Sequence, residues 1–213
     1  MADKLDIFSR TLVKCGQRPL LSLSDARPEQ RAIDRVYDSA VEKLIEGALW
    51  KFAARTDELQ PSATVTSNFG YQYVYEQPED YVRIIRICDN ERLRPTLRDF
   101  MLEGEFIYAD CNPLYLQYVS DDPRHGYDVG KWTPSFTDAL VDELVVRTAP
   151  FLMNADVQKI EQLEKQAKRS FYVAKGRDAV NQPECWTPPG RLVRARSGGT
   201  RINNMRASGY PYY

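Results

Sequence analysis

Histidine is almost missing from this chain of 213 residues, with His125 the single one. It sits in the turn-rich run Asp121-Asp122-Pro123-Arg124-His125-Gly126, far from any cysteine cluster. Ser-His-Asp and Cys-His chemistry need a histidine held between a nucleophile and an orienting group, and a surface-loop residue is the expected reading here. Cysteine is also scarce. Cys15, Cys88, Cys111 and Cys185 lie far apart with no CxxC pair, which gives sequence support to neither a zinc site nor a disulfide framework. They read as reduced, small apolar fillers. No apolar run approaches the ~20 residues that cross a bilayer. Met1-Ala2-Asp3-Lys4-Leu5-Asp6 lacks the basic flank and apolar stretch of a signal peptide, so the expectation is a protein made and kept in a cytosol. Glycine-rich nucleotide loops are missing too. No such loop ends in Lys and Ser/Thr, no GxGxxG follows a strand, and Gly198-Gly199 stands alone in a polar tail.

What is present is an ordinary globular composition with an uneven charge. The length fits one domain, or one domain with an insertion, and 43% hydrophobic residues suffice for a sizeable core. The net charge of −1 hides an asymmetry. Residues 180–213 carry Arg191, Arg194, Arg196, Arg201 and Arg206 against Glu184 alone, whereas residues 1–179 have an excess of acids. A basic end on an acidic body points to an arm that faces a partner.

Hydrophobic period divides the chain into helical and β parts. Leu5, Phe8 and Leu12 predict a short amphipathic helix over 3–14 that stops at Gly16. Pro28 opens a second, predicted over 28–53 with Ser24 or Asp25 as cap, and Ile33, Val36, Tyr37, Ala40, Val41, Leu44 and Ala48 on one face. Its end, Leu49-Trp50-Lys51-Phe52-Ala53, supplies Trp50 and Phe52 as core anchors. From about 56 to 132 the helical period gives way to short runs rich in Tyr, Val and Ile. These are 71–75, 81–87, 106–109 and 114–119, the last two read as a hairpin around Cys111-Asn112-Pro113. Thr133 and Pro134 begin a third helix with Phe136, Leu140, Leu144 and Phe151 near one face, expected to bend or stop at Pro150. A fourth spans 155–179 with Val157, Ile160, Leu163, Ala167, Phe171 and Ala174 inward. The fold class is therefore α+β: mainly an antiparallel helix bundle (1–54 and 134–181), an inserted small, largely antiparallel β-sheet (55–133), and an extended C-terminal arm (182–213).

Proline and glycine forbid a long regular element in that arm, yet Trp186, Leu192, Val193, Tyr210, Tyr212 and Tyr213 remain. A segment that orders against a partner needs such aromatics for contact area, and arginines for directed hydrogen bonds. The expected interface residues are Trp186, Arg191, Leu192, Arg194, Arg196, Arg201, Tyr210, Tyr212 and Tyr213. Clustered arginines with aromatics also fit a nucleic acid. The body is acidic and the arginines stand singly among Pro, Gly and Asn, so a protein partner is favoured. Glu103 and Glu105 raise a further alternative, a carboxylate pair for hydrolysis of cell wall. Gly104 between them more simply marks a hairpin turn.

Three stretches in this order resemble a known family: Leu12-Val13-Lys14-Cys15-Gly16-Gln17-Arg18-Pro19-Leu20-Leu21-Ser22-Leu23, then Leu49-Trp50-Lys51-Phe52-Ala53, then Tyr75-Glu76-Gln77-Pro78-Glu79-Asp80-Tyr81-Val82-Arg83. The chain is similar over about residues 3–179 to the phage head-to-tail adaptor (connector) proteins, called tail tubular protein A in short-tailed phages. The resemblance implies a structural virion protein with no catalytic residue, cofactor or metal. It implies a ring of identical subunits, commonly twelve, seated between the capsid portal and the tail or nozzle proteins in the virion neck. The ring would form in the host cytoplasm during assembly and continue the channel for DNA ejection, with genomic DNA passing unread through its lumen. It also implies a C-terminal segment that orders along the portal.

Overall fold

A computed structural model of the chain describes residues 3–180 apart from 26, 68, 69 and 154. The arm over 182–213, with every expected interface residue in it, lies outside the described residues. The described part is α+β, with four α-helices and two small antiparallel sheets of three strands each.

The helices are α1 (Lys4–Lys14), α2 (Pro28–Gly47), α3 (Pro134–Leu152) and α4 (Val157–Val180). α1 stops as its sequence requires. Gly16 takes φ +73, and the N–H groups of Gly16 and Gln17 return to the carbonyls of Val13 and Leu12, a glycine C-cap. Thr133 caps α3 by accepting the Phe136 N–H at 3.3 Å, with Pro134 in the first turn. α2 has Arg27 rather than Ser24 or Asp25 at its N-cap, without a side-chain cap.

α3 is the axis of the bundle. Phe136, Leu140, Val141 and Leu144 are fully buried on it, because α1, α2 and α4 all pack against it. Its partners fix directions. Lys14 and Gln17 of the α1 end reach Asp142 and the Leu152 carbonyl, so α1 runs parallel to α3. Lys43 reaches Glu143 while Arg147 reaches Ser39, and Ser170 reaches Asp142 while Arg177 reaches Ser135, so α2 and α4 run antiparallel to it.

Three helical expectations need correction. α2 ends at Gly47, not at 53: Ala48 is extended, and the Trp50 indole N–H turns back onto the Leu44 carbonyl at 2.7 Å. That carbonyl is among the last four of the helix, which have no partner within it. The stop expected at Pro150 comes two residues later: the proline lies in the final turn, where its missing N–H withholds a donor from the Val146 carbonyl, and α3 ends at Leu152. Phe151 and Val157, expected inward, are 63% and 73% exposed. Both lie at helix ends, Phe151 in the last turn of α3 and Val157 at the first residue of α4.

The strands are β1 (Ala54–Leu59), β2 (Tyr73–Glu76), β3 (Tyr81–Cys88), β4 (Met101–Glu103), β5 (Phe106–Ala109) and β6 (Leu114–Ser120). One sheet has the order β1-β6-β3 and the other β2-β5-β4. The expected hairpin of 106–109 with 114–119 does not form. Both edges of β5 are taken by β2 and β4, so the chain crosses at 110–113 and β6 enters the centre of the other sheet. The turn at Gly104 between β4 and β5 is the hairpin anticipated there, with φ +59 at the glycine.

β6 joins the two cores through its period of two. Leu114, Leu116 and Tyr118 belong to an inter-sheet core with Tyr75, Ile87 and Ile107. Val119 belongs instead to the bundle core, with Val82 and Ile85 packed beside it. The layers are thus bundle, first sheet, second sheet.

Candidate functional site

The segment that leaves α2 is built around Trp50. Its side chain is fully buried, edge-on to Phe136 at 4.9 Å and Phe171 at 6.0 Å and stacked with Phe52 at 5.8 Å. Trp132 extends the cluster through Phe136 at 5.0 Å. The 49–53 motif therefore nails α2, α3 and α4 together at one end of the bundle. Such ring contacts add about 0.5–1.5 kcal/mol each beyond the area they bury.

Lys51 then fastens the end of α4. Its ammonium donates to the carbonyls of Asp178 at 2.5 Å and Ala179 at 3.3 Å, while its own N–H is accepted by the buried Asp178 carboxylate at 3.1 Å. A cation on the last carbonyls of a helix satisfies orphaned acceptors and opposes the negative end of the dipole. The described residues stop at Val180, one residue past this clamp, and residues 182–213 follow in the sequence.

Asp80, from the Gln77-Pro78-Glu79-Asp80-Tyr81 turn, ties the first sheet. Its carboxylate accepts from Arg55 at 3.0 Å, from the Tyr118 hydroxyl at 2.9 Å and from the Ser120 hydroxyl. Burial alone would raise its pKa, but the bonds from Ser120, Tyr118 and Arg55 outweigh that and hold it below the usual aspartate value. Asp57 shares the same hydroxyl of Tyr118 at 2.8 Å and the same guanidinium at 3.3 Å. The Tyr118 phenol, buried and facing two carboxylates, is pushed far above its ordinary pKa and stays protonated. One turn residue thereby joins β1, β3 and β6.

A third polar knot lies inside the bundle. Asp142 accepts from Lys14 at 2.6 Å, Ser170 at 2.5 Å and Gln166 at 3.3 Å. Its neighbour Glu143 accepts from Lys43 at 2.6 Å and Arg147 at 2.8 Å, and these bonds overcome the burial that would raise its pKa and lower it instead. The two carboxylates, 8% and 11% exposed, bind the other three helices to α3. Sequence reading missed them. The available signal was Asp142-Glu143 standing between Ala139-Leu140-Val141 and Leu144-Val145-Val146, where a helix buried on several sides must pair any carboxylate. A cleft of about 220 Å³ beside Glu143 is lined by Lys43, Val146, Glu164, Ala167 and Lys168. Its two cations offset its two carboxylates, so it selects no sign of charge.

The remaining candidates are scattered. Glu103 and Glu105 are both exposed on either side of the Gly104 turn. His125 Nδ1 is 3.8 Å from Asp122 Oδ1, too long for a hydrogen bond. Cys15 and Cys88 are buried, Cys111 is half-buried, and burial pushes all three thiols up. No group of three His, Cys, Asp or Glu residues is placed to hold a metal ion among the described residues, and none of their helices is long and apolar enough to cross a membrane. Compared with known proteins, the chain matches no protein-family model and no curated protein sequence.

Proposed function

We propose that this protein is a head-to-tail adaptor of a phage virion, a structural subunit that forms a ring between the portal and the tail and continues the DNA channel. The observation that carries the reading is the place of the two most specific motif residues. Trp50 and Asp80 sit at the joints of the body, one closing the bundle and the other tying the first sheet together. In the resemblance, those stretches mark a helical body with a β part. Further support comes from Lys51, which holds the end of α4 next to the start of the basic, aromatic-rich segment 182–213.

The mechanism is docking. Subunits remain soluble until a portal ring offers a surface that orders residues 182–213, with Trp186, Leu192, Arg194 and Tyr210 as anchors. Ordering costs roughly 1–2 kcal/mol per residue in backbone entropy, so the contacts must be many. Repetition around a ring then makes dissociation slow. Deletion of 182–213 tests this. The shortened chain should stay folded by circular dichroism and no longer be retained by immobilised portal rings that retain the full chain. Equal retention of both refutes the role given to the segment. A virion cell-wall hydrolase would instead clear peptidoglycan and lose that activity on Glu103→Gln or Glu105→Gln.

A further inference from the structure

Beyond the exposed Glu161 and Glu164 of its first turns, the outer face of α4 is a surface of one charge. From residue 165 to 180 its exposed side chains include Lys165, Lys168, Arg169 and Lys175, with no exposed carboxylate. The only acid there, Asp178, is buried against Lys51. Lys165, Arg169 and Tyr172 follow at i, i+4 and i+7, which puts them on one stripe, and Tyr172 is 68% exposed. The buried residues of the helix, Ala167 and Ala174, are on the opposite side, toward the bundle core. None of the four cations makes an ion pair among the described residues.

The reverse pattern occurs on α2 and the loop after β6. Asp38 and Glu42 are exposed one turn apart, and Asp121 is exposed close by. The Tyr127 phenol records their company: it is pushed up to about 12 by burial and by Glu42, Asp121 and Asp38. These three carboxylates also make no ion pair among the described residues. Like charges a turn apart destabilise each helix by a few tenths of a kcal/mol. Lys165 with Arg169, and Asp38 with Glu42, are such pairs, and an opposite charge that covers them relieves the repulsion.

We propose that the Lys165, Arg169 and Tyr172 stripe of one copy docks on the Asp38, Glu42 and Asp121 patch of a second copy. The two patches differ and do not meet within one chain, so the contact is head-to-tail, the kind that closes into a ring when the rotation permits. The charges steer and register the subunits, while Tyr172 supplies contact area. This deepens the ring reading and rests on it.

Two charge-reversed full-length variants test it, Lys165→Glu with Arg169→Glu, and Asp38→Lys with Glu42→Lys. Circular dichroism first establishes that each is folded. Sedimentation velocity of the wild type over rising concentration should show reversible self-association that weakens with salt. Each variant alone should associate at least about tenfold more weakly. An equimolar mixture should regain association through alternating copies, because every contact between unlike variants again joins opposite charges. The proposal is overturned if the wild type stays monomeric throughout, if either variant associates like wild type, or if the mixture regains nothing. A monomeric wild type that binds a DNA oligonucleotide, and loses it on Lys165→Glu with Arg169→Glu, would assign the stripe to nucleic acid instead. Immobilised portal rings separate the two levels. Variants that assemble on them like wild type remove this contact and leave the adaptor reading standing. A wild type that self-associates as described but ignores portals does the reverse.

Discussion

Replacing Asp80 with alanine should cost about 2–4 kcal/mol of folding stability. Its carboxylate is 16% exposed and takes three donors. Ser120 is fully buried, and losing its acceptor strands a hydroxyl, at about 1–3 kcal/mol. Arg55 loses less. Its side chain is 36% exposed and keeps Asp57 at 3.3 Å, so solvent and the second carboxylate limit that share to below about 1 kcal/mol. Tyr118 likewise keeps Asp57 at 2.8 Å. The same geometry ranks the variants. Asp57→Ala leaves Tyr118 and Arg55 with Asp80 and strands no buried hydroxyl, so it should cost about 1 kcal/mol or less. Asp80→Asn keeps an acceptor for Ser120 and should fall between. Urea unfolding followed by tryptophan fluorescence measures all three, since Trp50 and Trp132 are buried in the bundle core. An Asp80→Ala loss within about 0.5 kcal/mol of zero, or a larger loss for Asp57→Ala than for Asp80→Ala, would refute the view of Asp80 as the tie.

Acid should unfold the protein partly through Asp80 and Glu143, whose folded pKa values lie below the ordinary 3.8 and 4.5. Their contribution is complete above those ordinary values and is lost as pH falls through the folded ones. Asp121, raised by partial shielding from water and by Asp80, Glu42 and Asp122, acts the other way and gains as it protonates. Stability measured against pH should therefore fall less steeply in acid for Asp80→Asn with Glu143→Gln, and more steeply for Asp121→Asn. Trp50→Ala should cost about 3–5 kcal/mol in the same urea assay, far more than Phe at that position. Gly126→Ala should be costly despite its small change, because the new Cβ would stand 2.1 Å from the Ser120 carbonyl oxygen, which is backbone. A stability equal to wild type would show that the loop shifts freely. Lys51→Met should speed amide exchange over the last turn of α4 while leaving α3 protected, as hydrogen-exchange mass spectrometry can read.

The fold class was legible because period is local. Leu12, Ile33, Leu140 and Ala174 recur at helical spacing, and Leu114, Leu116 and Tyr118 alternate, without knowledge of what they touch. What lay beyond reach was set by partners distant in sequence. The α2 boundary depends on the Trp50 indole returning to Leu44, and the fate of β5 depends on β2 and β4 already holding its edges. β1, with its charged Ala54-Arg55-Thr56-Asp57-Glu58-Leu59, carries little hydrophobic alternation and is a strand because β6 pairs with it. At the joints, Trp50 and the Pro-Glu-Asp-Tyr turn stood out in the sequence, whereas the partners of Asp80 and the Asp142 knot needed three dimensions. Asp142 meets Lys14 and Ser170 from helices far away along the chain.

Electron microscopy of purified portal rings incubated with the full-length protein tests the adaptor reading itself. The expected result is a second ring of density stacked coaxially on the portal, with a central channel open through both and residues 182–213 traced along the portal wall. Portal rings that stay bare at saturating protein, while the protein remains folded, would contradict it.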